Sequence, residues 1–194
     1  MTKAAPGSSA GSSADRAFLE AMIPHHQSAI AMARVAKHRA RHPQITELAD
    51  AIITAQAREI RQIKRIHRRL FDEPILPNED AHEALGLSAE GAGMAHTDST
   101  AELNDARPFD KAFIDGMVSH HQGAVRMALA VRDETADDEI GALANAIVTT
   151  QSNEIEAMNQ WRDAWYGAPS PAGGVPTLKP DSAGDESMGE HDGH

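Results

Sequence analysis

A stretch of twelve residues, Met22-Ile23-Pro24-His25-His26-Gln27-Ser28-Ala29-Ile30-Ala31-Met32-Ala33, returns 95 positions later as Met117-Val118-Ser119-His120-His121-Gln122-Gly123-Ala124-Val125-Arg126-Met127-Ala128. The same offset relates Asp15 to Asp110, Phe18 to Phe113, Gln56 to Gln151, Glu59 to Glu154 and Ile60 to Ile155. An ungapped correspondence over about 50 residues marks a tandem duplication, so the fold must be one that two equivalent units build together.

Each unit reads as two helices. Asp15 offers an acceptor at a helix start, and helical periodicity runs from there to about Lys37. At about 100° per residue, Phe18, His25, Ala29 and Met32 fall to one side of Met22, and Leu19, His26, Ile30 and Ala33 to the other. Both histidines therefore lie inside the apolar stripe, whereas Glu20, Gln27 and Arg34 face water. Pro24 cannot donate to the carbonyl of Glu20 and predicts a local kink. Ser119 stands at the equivalent position, so the proline tunes geometry and is not part of the chemistry.

His42-Pro43 opens the second helix, with Pro at the first helical position and His42 as a weak cap. Its stripe is Ile45, Leu48, Ala49, Ile52, Gln56, Glu59, Ile60, Ile63 and Leu70; the repeat gives Ile140, Leu143, Ala144, Ile147, Gln151, Glu154, Ile155, Met158 and Trp161. In both, a carboxamide and a carboxylate three residues apart interrupt the apolar face.

The chain divides into a tether over residues 1–14, a helical hairpin over 15–71, a linker with a possible short helix over 72–107, a second hairpin over 108–166 and an acidic disordered tail over 167–194. Residues 15–166 are expected to form one compact domain. A linker of that length lets the second hairpin cross over and lie against the first, which gives an all-α four-helix bundle. A chain that is 41% hydrophobic but only 4% aromatic suits helices better than a sandwich or barrel.

The net charge of −11 argues against a general nucleic-acid role. The basic run Arg58, Arg61, Lys64, Arg65, Arg68 and Arg69 reads as a solvated helix face. With no cysteine, disulfides, thiolate sites and iron–sulfur clusters are excluded. The first ten residues lack the apolar core of a signal peptide, and no apolar run suggests a membrane span. There is no Ser-His-Asp arrangement, P-loop or dinucleotide fingerprint, and neither copy of the repeat has a Glu-x-x-His pair, so no catalytic residues are assigned.

Imidazoles, thioethers, carboxylates and carboxamides on apolar faces must be hydrogen-bonded, ion-paired or bound to something. Buried His-Glu pairs that lock helix register are one answer, and a metal ion is the other. The candidate metal ligands are Met22, His25, His26, Met32 and Glu59 in one half, and Met117, His120, His121, Met127 and Glu154 in the other. Gln56 and Gln151 would orient an imidazole from behind, while Met94, His96 and Met158 are subsidiary candidates. Thioether with imidazole suits copper, Cu(I) above all; a His/Glu set would suit Zn(II), Cu(II) or Fe(II). A metal-dependent enzyme and a purely structural bundle acting through protein contacts remain as other readings.

The pattern from Phe18 through Met22-Ile23-Pro24-His25-His26 to Met32-Ala33, followed by Gln56-x-x-Glu59-Ile60, resembles domain-of-unknown-function family 305. Phe113 to Ala128, with Gln151-x-x-Glu154-Ile155-x-x-Met158, resembles it again, and Gly93-Met94-x-His96 is similar to a Met/His-rich approach seen in many members. The resemblance implies a ferritin-like four-helix bundle, usually exported from bacteria, with copper handling or resistance among its roles. The chain departs from Met-rich members in having only Met94 in its linker and Ile63 where the repeat has Met158.

Overall fold

The computed structural model describes residues 11–94 and 100–177. Residues 1–10 of the expected tether, His96, and residues 178–194 of the expected tail lie outside them.

The first helix, α1 (Ser13–Arg39), begins earlier than expected. Ser12, not Asp15, is its cap. Ser12 Oγ accepts from the Asp15 N–H at 3.0 Å, and Asp15 Oδ2 accepts from the Ser12 N–H at 2.8 Å, so Asp15 completes a capping box from the third helical position. The helix runs unbroken through Pro24. The carbonyl of Glu20 that the proline leaves without an intrahelical donor accepts instead from the Asn78 N–H in the linker, at 3.2 Å.

The second helix, α2 (Pro43–Phe71), has no side-chain cap of its own. Its approach is held from the other half of the chain. Asp110 accepts from the backbone N–H groups of Arg41 (3.0 Å) and His42 (2.9 Å) and from His42 Nδ1 (2.5 Å). The linker then makes a 3-10 turn at Glu79–Leu85, packed on α1, and a short helix α3 (Thr100–Asp105). Helices α4 (Phe109–Glu134) and α5 (Asp138–Tyr166) form the second hairpin, with Asp137 capping α5.

Each hairpin packs internally, α1 on α2 and α4 on α5, and the two meet mainly through α1 and α4. These two run antiparallel: His25 meets His120, and Met32 lies beside Gly116. That central position explains why apolar and polar residues are buried over most of their circumference. Among the described residues, no helix is long and apolar enough to cross a membrane.

The chain after Gly167 is not a free tail over residues 167–177. It returns as a strap along α4 and α5. Gln122 donates to the carbonyls of Ala172 (2.8 Å) and Gly174 (2.7 Å), Asn159 donates to Gly173, and Arg162 donates to Ala168. Composition rich in Pro and Gly reads as disorder, but buried polar side chains on the helices supply the strap's backbone with partners.

Candidate functional site

The apolar interior is split in two. One cluster takes Phe18 to Ile23 from α1, Ile63 to Leu70 from α2, Ala124, Met127, Ala128 and Val131 from α4, and Ile140 to Ile147 from α5. The other takes Ala29 to Ala36, Ile45 to Ile52, Phe109 to Val118, and Ile155 with Met158; only Val125 and Leu129 of α4 break the order. On every long helix the polar pair of the motif lies between the two clusters: His25 and His26, Gln56 and Glu59, His120 and His121, Gln151 and Glu154. The repeated motif therefore builds a buried polar layer across the middle of the bundle.

Within that layer the two histidines of each pair differ. His26 Nε2 lies 2.7 Å from Glu59 Oε2, and His121 Nε2 lies 2.8 Å from Glu154 Oε2. A carboxylate can only accept, so each imidazole donates Nε2–H, and in the neutral ring this leaves the lone pair on Nδ1. The outer residues of the motif, His25 and His120, instead meet each other, with ring centroids 3.8 Å apart and planes inclined by 42°. Along each helix the neighbouring rings stand farther apart, 6.3 Å for His25 and His26 and 6.4 Å for His120 and His121.

The layer is short of hydrogen-bond partners. Among the described residues, twelve buried side-chain N and O atoms have none, and ten of them belong to this layer: both ring nitrogens of His25 and of His120, Nδ1 of His26 and of His121, and both amide atoms of Gln56 and of Gln151. Leaving such groups unpaired costs about 1–3 kcal/mol each. Burial holds His25 well below the ordinary imidazole range, helped by the neighbouring His120, His26 and His121. Burial, then His121 and His26, likewise lowers His120 to about 3. Both rings are thus neutral at pH 7, as ligand imidazoles must be.

Among the described residues neither Gln56 nor Gln151 hydrogen-bonds an imidazole, whereas Glu59 and Glu154 do. The thioethers are sorted by the layer. Met22, Met94 and Met127 belong to one apolar cluster, and Met32, Met117 and Met158 to the other. With about 1.5 Å of rise per residue, Met22 and Met32 stand about 15 Å apart along α1 and cannot grip the same ion. Thioethers from different helices share a cluster instead. Met94 enters from the linker on the side where α2 carries Ile63. Among the described residues, no three His, Asp or Glu side chains converge as a cation site.

The linker approaches this layer closely, which the sequence pattern did not signal. Gly93 (φ 69°) crosses the backbone of α4 at Ser119 and His120, and a Cβ on Gly123 would fall 2.0 Å from the carbonyl oxygen of Ala92. The visible hint was Gly123 itself, where the other copy has Ser28.

Fold and site together define an all-helical bundle of two similar hairpins with a histidine-rich layer buried at their interface. The sequence profile described as Domain of unknown function (DUF305) matches residues 15–162 and again 112–192, and the chain belongs to that family. Among solved structures it is similar to CopM in the Cu(I)-bound form, with 37% identity, 79% of this chain and 98% of that one covered, and a TM-score of 0.66. CopM is also known in Ag-bound and Cu(II)-bound forms. A DUF305 fragment from Deinococcus radiodurans is 29% identical, covering 78% of this chain and 96% of that one, with a TM-score of 0.66. A DUF305 protein from Streptomyces coelicolor shares the fold at 24% identity and a TM-score of 0.70, covering 81% and 96%. Uncharacterized protein L153 of Acanthamoeba polyphaga mimivirus is 39% identical over 54 residues, 28% of this chain and about a third (36%) of that protein.

Proposed function

We propose that this protein is a non-catalytic copper-binding bundle, favouring Cu(I), and that the metal is its cargo. The observation that carries the reading is the His25–His120 pair: two neutral imidazoles in contact, buried, with all four ring nitrogens lacking a hydrogen-bond partner. Imidazole lone pairs suit a metal ion, and His26 and His121 add further ones at Nδ1, each fixed by a carboxylate behind the ring. The flanking thioethers, Met22, Met94 and Met127 on one side and Met32, Met117 and Met158 on the other, make the surroundings soft, which suits Cu(I) over Zn(II) or Fe(II). CopM, similar over most of both chains, binds copper and silver. We take the two halves to be products of duplication and, from the family resemblance, place the protein outside the cytoplasm.

The test is metal analysis of protein purified without a histidine tag, with competitive Cu(I) and Zn(II) titrations. The parent should bind Cu(I) far more tightly than Zn(II), and a His25→Ala/His120→Ala variant should lose that binding. If the variant binds Cu(I) as the parent does, the pair is not the site. A parent that binds neither metal would leave the other reading, a structural layer that fixes helix register, which the His26–Glu59 and His121–Glu154 pairs favour.

A further inference from the structure

At the end of the bundle remote from the linker's 3-10 turn, a cavity of about 550 Å³ is lined by Arg39, Arg41, Arg107, Pro108 and Phe109. Three segments meet there: the last turn of α1, the α1–α2 loop and the start of α4. Arg39 Nη1 donates to the Asn104 side chain at 2.9 Å and to the Asn104 carbonyl, and Arg107 Nη1 approaches that same carbonyl at 3.3 Å. Two guanidiniums are thereby drawn to one neutral oxygen.

Among the described residues no carboxylate lies in ion-pair range of Arg39, Arg41 or Arg107, although the chain carries a net charge of −11 and pairs Arg16, Arg69, Arg132 and Arg162 with acids. The nearby Asp110, whose oxygens accept from the Arg41 and His42 N–H groups and from the His42 ring, offsets part of this charge and leaves an excess of positive groups. Three guanidiniums around one hollow, two of them exposed and one half-buried, give it a positive potential that favours an anion.

We infer that this cavity binds a small dianionic oxyanion of the phosphate monoester class. Guanidinium forks match phosphate oxygens in pairs, and three of them suit a doubly charged group better than a single carboxylate. The volume leaves room beyond the phosphate for an organic portion, for which exposed Pro108 offers an apolar wall. The site is separate from the histidine layer, and its occupancy does not depend on copper.

Isothermal titration at low ionic strength, in chloride buffer, with inorganic phosphate and glycerol 3-phosphate as probes, tests the assignment on the full chain. Glycerol 3-phosphate should bind one to one, more tightly than inorganic phosphate, and more weakly as salt is raised. Arg41→Gln, at an exposed side chain that makes no hydrogen bond or ion pair among the described residues, should weaken it by about 10-fold. Arg41→Gln/Arg107→Gln should abolish it while the thermal melt and Cu(I) binding stay at parental values. No saturable binding by the parent at about 10 mM probe, or equal binding by the double variant, would overturn the proposal.

Discussion

His25 and His120 occupy equivalent positions in the two copies of one motif and end up in contact, ring centroids 3.8 Å apart, at the α1–α4 interface. Their neutrality has a price in acid. In the unfolded chain each titrates near 6.5, whereas in the fold both are lowered, His120 to about 3. The unfolded state therefore takes up protons first. Stability is fully present above pH 6.5 and is lost as pH falls toward 3, at up to about 1.4 kcal/mol per pH unit for each histidine. Urea unfolding of metal-free protein at pH 7, 5.5 and 4.5 should show this slope, and a His25→Leu/His120→Leu variant should flatten it.

The carboxylate behind each inner histidine gives a separable effect. Glu59→Ala should cost about 1–3 kcal/mol, because it leaves His26 Nε2 buried without a partner. In the copper reading it should also weaken Cu(I) binding by about 10- to 100-fold, as loss of a group that orients a ligand imidazole does. Glu59→Gln should restore most of the stability. If Glu59→Ala lowers the urea midpoint and leaves Cu(I) affinity untouched, the inner histidines are structural.

The helices, their pairing and the burial of both histidines were legible because periodicity and the 95-residue offset report on faces directly. The contacts between histidines were not. Reading one helix at a time grouped Met22 with Met32, which share a stripe but lie on opposite sides of the polar layer; only antiparallel packing of α1 on α4 brings Met32 near Gly116 and His25 to His120. Long-range acceptors were equally hidden. Nothing local to Asp110 says that it holds the loop before α2, or that Gln122 anchors residues 172 and 174.

Asp110 and Asp15 make a matched test of that point. Asp110→Asn turns one of the two oxygens that together serve three N–H groups into a donor facing an N–H, and should cost about 1.5–3 kcal/mol. Asp15→Asn weakens only a capping box and should cost about 1 kcal/mol or less. Equal losses in chemical denaturation would contradict the asymmetry.

Gly123 carries the crossing of the linker. A methyl group there would fall 2.0 Å from the Ala92 carbonyl oxygen, so backbone must move on one side or the other, and Gly123→Ala should destabilise by on the order of 3 kcal/mol. Gly174→Ala, whose added methyl meets nothing within 4 Å among the described residues, should melt within a degree or two of the parent.

Pro24, like Gly123, is a difference between the two copies of the motif that the fold uses directly. Its missing N–H frees the Glu20 carbonyl, and the linker's Asn78 N–H takes that carbonyl at 3.2 Å. Pro24→Ala restores an intrahelical donor, which competes for the same oxygen. The helix itself should gain, so the melting temperature should hold or rise. The linker should loosen: the Asn78 amide should exchange about five- to tenfold faster, as expected for a lost bond worth roughly 1 kcal/mol. Amides of α5, far from this contact, should keep their protection. Unchanged exchange at Asn78 would mean that the linker is held by its side-chain packing on α1, and that the proline is incidental to it.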